Sequence, residues 1–566
     1  MKLTKSKKTA HRDGWSCERL SSCLALAAMF VTFGLTNSAV AQQKQDPMLT
    51  AMQAELDREK SLLILPGMQR PYFMEYRLDE QTSYEAVANY GALTREETSH
   101  QRVVRVTVRI GSYQADSSSS RGDGSVQLAP EDNDPAALRY ALWTATDEAY
   151  KNALRAYSTK QAALKRFQSA PTADDFAPAK PVTTIEPLVT LDLDRNEWKR
   201  RLVEASGLYA KEPSASHVQF STANLRGIAV NRYLLNTEGT VVRHGYTGYN
   251  ATISVGGQAP DGMQLARANG TTAALAKDLE SGAAFHQRTL DDLKSFEELR
   301  NAPVVGAEDY HGPVLFSGDA AADTLSRLFI PNIEADRPDV GTTARTQGAY
   351  SSSLRTPVLS ALLDVKDDPL LTTFAGQKLL GSYDVDDEGV PAQSIDIVQA
   401  GKLMNFVIGR EPVKDFPDSN GHGRAGPGQP AHSRAAVTIF KSTQPVSAAQ
   451  LNQQLVDLAK KQGRDVYAVE TLGGELVPRL LYVVHADGKR ELVRGATFDE
   501  LDARSLRSGI VAVGSDAYVS NILGAIPQTT IAPSILFGDI EVKRATDEQQ
   551  KLPYYEPPAL NPKEGR

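Results

Sequence analysis

The two cysteines of this 566-residue chain are Cys17 and Cys23, so no thiol follows position 23. Everything beyond must hold together by burying apolar surface, because no disulfide can staple it and no thiolate can ligate a metal or attack a substrate. Zinc ribbons, C-x-x-C redox centres and cysteine proteases are thereby excluded. The length meets that demand, since about two to four domains of roughly 100 to 200 residues fit within it. Its 41% apolar and 7% aromatic residues are those of an ordinary globular chain. With 62 Lys+Arg against 69 Asp+Glu, a net −7, the chain is no basic nucleic-acid binder. No nucleic-acid partner is expected.

Lys2, Lys5, Lys7, Lys8, Arg12 and Arg19 precede a largely apolar run over 20–35, which ends in small residues at Ala39 and Ala41 before a polar stretch. This order reads as a secretory signal cut after Ala41, with an uncleaved N-terminal anchor as the alternative. Cleavage removes six cations and two carboxylates and takes the net charge from −7 to −11. The mature chain is expected to be periplasmic or extracellular and to make no membrane contact, because no second apolar stretch reaches spanning length.

Hydrophobic spacing predicts mixed α+β architecture. Helices are expected over 48–63, 135–167, 195–206, 291–299, 320–329 and 446–462. Strands are expected over 72–76, 86–93, 103–110, 218–221, 228–231, 252–255, 314–316, within 382–410 and over 466–484. The division that follows is a signal at 1–41, an N-terminal α+β domain at 42–230, a strand-rich segment at 231–304, a strand-rich C-terminal domain at 305–545 and a tail at 546–566. Pro171, Pro178, Pro181 and Pro187 make 171–188 a linker or surface loop. Arg121-Gly122-Asp123 follows a serine run and reads as a polar loop, not an adhesion signal.

None of the nine histidines is followed by Glu, so the zincin helix is absent, as are a G-x-S-x-G elbow and a Walker A loop. Gly421 to Gly426 satisfies G-x-G-x-x-G, but Pro427, Gly428 and Pro430 forbid the helix that dinucleotide binding needs, leaving a flexible loop. His422 and His432 in that stretch are the weak metal candidates. Asp384, Asp386, Asp387 and Glu388 form a dense acidic group before Gly389. It is read as a solvated hairpin turn, with a hard-cation site as the alternative.

The stretch Gly381-Ser382-Tyr383-Asp384-Val385-Asp386-Asp387-Glu388-Gly389-Val390-Pro391-Ala392-Gln393 resembles the D-[DE]-E-G-x-P-[AT] turn of the TldD/PmbA (TldD/TldE) peptidase family. In the same order along the sequence, Asn236-Thr237-Glu238-Gly239, Asp261-Gly262-Met263, Gly312 to Phe316 with Ala320-Ala321-Ala322, Asn420-Gly421-His422-Gly423-Arg424 and Ala532 to Phe537 resemble further family motifs. The likeness spans roughly 50–545. It implies a two-domain α+β fold whose relatives form dimers around a cavity. In the TldD branch, zinc sits on an H-E-x-x-x-H helix with a Cys ligand, and unfolded peptides are cleaved. Here the corresponding stretch, Leu325-Ser326-Arg327-Leu328-Phe329-Ile330-Pro331, holds neither His nor Glu. The protein is therefore similar to the PmbA/TldE branch, which lacks the motif and partners a zinc-bearing subunit.

Three functions follow from the resemblance. The first is an exported, metal-free partner of a TldD-like zinc subunit, or a homodimer, gripping extended peptides by main-chain pairing along strand edges. The second is an envelope peptide-binding or scaffolding protein without catalysis. The third is an active peptidase with a divergent metal site at His422, His432 and the Asp386 to Glu388 group. For the first, no catalytic residue and no cofactor are assigned to this protein, and any zinc belongs to the partner. Asp386, Asp387, Glu388, Gly389 and Pro391 are expected to form a structural turn, and Gly421, His422, Gly423 and Arg424 a loop facing the cavity. Arg424 is expected either to bind a peptide carboxylate through its planar fork or to form an internal salt bridge.

Overall fold

The computed structural model describes residues 46–118, 124–167, 173–212, 217–338, 340, 345–546 and 551–553. The signal segment, the Arg121-Gly122-Asp123 tripeptide, Pro171 and most of the tail lie outside the described residues. Helix α1 (Pro47–Leu62) begins where Asp46 caps it, its carboxylate accepting from the Met48 and Leu49 N–H groups at 2.9 and 3.2 Å. Strands β1 (Pro71–Asn89) and β2 (Ala92–Ile110) then form one long hairpin, turned by Tyr90 and Gly91 at φ 52° and 83°. The short strand expected over 72–76 is thus the start of β1, and the one expected over 86–93 is the end of β1, the turn and the first residues of β2. The charged middle of β1 concealed its continuity, because Arg77 and Asp79 are buried in ion pairs and do not mark a solvent loop.

Strand β3 (Ser125–Ala129), helix α2 (Pro135–Phe167), strand β4 (Thr183–Ile185), helix α3 (Arg195–Gly207), strands β5 (Phe220–Asn236), β6 (Val241–Gln258) and β7 (Gln264–Ala273) and helix α4 (Gly282–Asn301) complete the N-terminal unit. Its sheet runs β3-β2-β1-β5-β6-β4, antiparallel except for β4 on β6, with β7 also on β6. Strand alternation puts Tyr76, Leu78, Val104 and Val106 beneath α1 and α2, against Leu49, Leu142 and Tyr150. At the other end of the sheet, Tyr84, Leu225 and Ile253 pack against Trp198 of α3 and Phe285 and Phe296 of α4. The segment 231–304, set apart in the sequence reading, therefore shares this sheet, and a boundary at 230 falls inside β5. Within 173–188, β4 pairs with β6 and Phe176 is buried, so this stretch is tied to the fold and is no free linker.

The C-terminal unit holds two sheets. In the first, strands β8 (Tyr310–Phe316), β12 (Val466–Leu472), β13 (Pro478–Val484), β14 (Arg490–Val493), β15 (Ala496–Asp499), β16 (Ile510–Val513) and β19 (Ile535–Arg544) order as β14-β13-β12-β8-β19-β15, with β16 also on β19. The second contains β9 (Leu363–Asp367), β10 (Ile395–Gln399), β11 (Val437–Ser442), β17 (Tyr518–Ile522) and β18 (Gln528–Ala532). Helix α5 (Gly318–Leu328) touches strands of both, and α6 (Ala448–Gln462) covers the outer side of the first through Leu451, Leu455 and Ala459. Most of 382–410, expected as strand, is turns and extended loop, with regular pairing only at β10 and Lys402–Leu403.

Candidate functional site

The acidic turn and the glycine loop, some 35 residues apart in sequence, meet in one buried structure. Asp386 closes the turn, its Oδ1 accepting from the Glu388 and Val390 N–H groups at 3.0 and 2.8 Å. Its Oδ2 reaches across to the Gly423 N–H at 2.9 Å, while Asp387 Oδ2 accepts from Ala425 N–H at 2.8 Å. Glu388 Oε2 accepts from Arg410 N–H at 2.6 Å. These three carboxylates are 1%, 4% and 8% exposed, which corrects the solvated-hairpin reading for them, while Asp384 of the same acidic group is exposed. A carboxylate can be buried only where donors replace water, and here backbone N–H groups and arginines do so, leaving no open set for a hard cation.

The glycines of both motifs have steric reasons. Gly389 turns at φ 77°, and a Cβ there would sit 2.7 Å from Thr240 Cγ2. Gly421 turns at φ 74°, and its Cβ would lie 2.3 Å from the Pro391 carbonyl oxygen. Pro391 is thereby placed against the loop, and Tyr383 donates its hydroxyl to the Gly421 carbonyl at 2.8 Å. The loop expected to be flexible is instead held on both sides.

His422 and His432 do not converge. His422 is fully buried, with Nδ1 3.0 Å from the Asn420 oxygens and Nε2 3.1 Å from Asp367 Oδ1, so both ring nitrogens are engaged. His432 faces outward with its side chain 47% exposed, and Nδ1 lies 3.7 Å from Asp336. Among the described residues no group of three or more His, Cys, Asp or Glu is placed to hold a metal. At Leu325–Pro331 the only donor side chains are Ser326, whose hydroxyl meets Thr530 Oγ1 at 2.8 Å, and the exposed Arg327. The residues present do not fit zinc.

Arg424 lies over the Tyr383 ring, 4.3 Å from its centroid, with Nε 3.5 Å from Asp387 Oδ2. Asp387 also pairs with Arg232 of β5 and faces His244 Nε2 at 3.5 Å. Burial pushes the Asp387 carboxyl up, but Arg232 foremost, then His244 and Arg424, hold it well below the usual carboxylate range. Arg232 continues to Asp79 on β1, which accepts from Gly428 N–H at 2.8 Å, so one line of charges runs from the sheet to the loop. Sequence reasoning missed Arg232, His244 and Asp79. Their one signal was Asn231-Arg232 interrupting the apolar run 228–235.

Arg232, His244, Tyr383, Asp387 and Arg424 line a cleft of about 350 Å³ between the sheet and the C-terminal unit, with Val189, Val230, Leu275 and Leu380 as apolar wall. One side of the cleft is a strand edge. Pairing of β4 to β6 ends at Arg243 and that of β7 starts at Tyr249, so among the described residues 244–248 have only β5 as a neighbouring strand. Because Val241 N–H and Arg243 C=O bond outward, the outer main-chain groups of Gly245 and Thr247 point to this open edge.

Burial pushes the Glu388 carboxyl up to about 7, against the Arg410 N–H and guanidinium. The folded protein then binds more protons than the unfolded one between Glu's ordinary value of about 4.3 and 7. Stability from this group is complete below that window and is lost as pH rises through it, on the order of 3–4 kcal/mol. Glu388→Gln is expected to flatten urea-measured stability between pH 5 and 8. It will not abolish the slope, because burial also raises Glu334 to about 7 and Asp292 to about 6. Superimposable profiles for the two proteins would refute the assignment.

Residues 309–544 match the PmbA/TldA metallopeptidase C-terminal domain. The fold is shared with TldE from Thermococcus kodakarensis at 13% identity and TM-score 0.57, covering 87% of this chain and all (100%) of that one. A Thermotoga maritima protein described as a candidate modulator of a DNA gyrase aligns at 18% identity and TM-score 0.59, covering 83% of this chain and 96% of its own. A Bacteroides thetaiotaomicron protein of the same description aligns at 12% identity and TM-score 0.57, over 89% and 99%. No curated protein matches the sequence.

Proposed function

We infer from a C-terminal domain of the PmbA/TldA metallopeptidase type, whose metal helix here carries no metal donors, that this protein is the metal-free, peptide-gripping subunit of an exported peptidase. An extended peptide adds its main chain to the open edge of β6 at 244–248, and a TldD-like zinc subunit supplies hydrolysis. The observation that carries the reading is the cleft. It joins an unpaired strand edge to a glycine-arginine loop, and both its walls are fixed by buried charge. Edge pairing reads backbone and tolerates many sequences, which suits unfolded peptides.

Residues 42–566, purified from the native exported fraction, are expected to show near-zero zinc by elemental analysis and to run in a complex larger than one subunit. About one zinc per subunit in a preparation without partners would overturn the reading. A metal-free protein running alone would favour the peptide-binding envelope protein instead. No helix among the described residues is long and apolar enough to cross a membrane.

A further inference from the structure

The geometry points to Arg424 and Arg232 as an anchor for the free α-carboxylate of a peptide, so that the cleft takes the carboxyl-terminal ends of peptides rather than internal segments. This rests on the reading of the cleft as a peptide site. Both guanidinium groups are more than nine-tenths buried, yet Arg424 Nη1 and Arg232 Nη2 have no hydrogen-bond partner among the described residues. Buried N–H donors left unmade are costly, and a cationic donor more so, which makes such a pair a standing site for an anionic acceptor. The two groups flank the same carboxylate, Asp387, whose oxygens are already engaged by Arg232 Nη1 and the Ala425 N–H. The vacant donors are therefore left over from that pairing.

The open edge of β6 selects an extended main chain, the guanidinium donors select its terminal carboxylate, and Val230, Leu275 and Leu380 select an apolar last side chain. A volume of about 350 Å³ is near the lower limit of small-ligand sites, enough for the end of a peptide and not for a folded segment. Arg424 is fixed by stacking on Tyr383, which pre-orients its fork for a planar carboxylate.

The test uses the mature protein and one probe in two forms, an N-terminally fluorescein-labelled Thr-Val-Thr-Val-Ala-Leu hexapeptide ending in a free acid or an amide, with binding read by anisotropy. The free acid is expected to bind about tenfold or more tighter, and Arg424→Gln to erase that preference by weakening the acid towards the amide. Arg424→Lys, which keeps the charge but loses the fork, is expected to recover only part of it. Equal binding of acid and amide to the unaltered protein, or a preference that survives Arg424→Gln, would overturn carboxylate anchoring while peptide capture stands. Binding of neither form would overturn both. The acid-amide comparison needs no variant, so a misfolded Arg424→Gln does not block it.

Discussion

Asp387→Asn is expected to lower unfolding free energy at pH 7 by about 3–5 kcal/mol, because removing one partner of a buried charge cluster leaves the others uncompensated. The substitution keeps the shape and an oxygen for the Ala425 N–H, so the loss reports charge and not packing. Arg232 would retain Asp79, whereas Arg424 has no other ion pair among the described residues. The pH dependence gives an independent check. The Asp387 carboxyl lies below its ordinary value of about 3.9, so its contribution is present above that pH and is lost as pH falls towards its folded value. The difference between variant and parent should therefore be steady from pH 5 to 8 and shrink in acid. Denaturant melts differing by less than 1 kcal/mol at pH 7 would show that the cluster does not depend on Asp387.

The same cluster explains why the fold was easier to read than the site. The helices α2 and α3 and strand β8 announce themselves by apolar periodicity and caps, since each packs one face on a core and needs little from afar. Strand β1 does not, because Glu75, Arg77 and Asp79 occupy the face that receives the loop at 425–430, and buried charge resembles a solvent loop in sequence. The acidic turn failed in the same way. Nothing local distinguishes carboxylates facing water from carboxylates facing the N–H groups of Gly423 and Ala425, which lie in another part of the sequence. The motif residues themselves were legible: Gly389, Gly421 and Gly423 are where close approach requires them. Arg232 and the gap in β6 were not, because a sheet edge exists only once its neighbours are placed.

Gly423 offers the sharper test of how turn and loop are joined. Its backbone is not in the left-handed region, so glycine is needed here for space alone. A Cβ would lie 2.0 Å from Glu388 Oε2, 2.7 Å from Cδ and 2.8 Å from Cγ. Glu388 cannot swing aside freely, since it is buried and its Oε2 holds the Arg410 N–H at 2.6 Å. Gly423→Ala is therefore expected to cost about 3 kcal/mol, the upper end of what one extra methyl costs in a packed interior. Shortening the opposing side chain makes room. In a double-mutant cycle, Gly423→Ala placed on Glu388→Ala should cost at least about 1 kcal/mol less than it does alone, a coupling expected only for groups in direct contact. Additive costs would place the strain elsewhere and separate the acidic turn from the glycine loop. A positive coupling would establish that the carboxylate of one motif is shaped to the missing side chain of the other, so that neither segment can vary without shifting Asp387 and Arg424, which line the cleft.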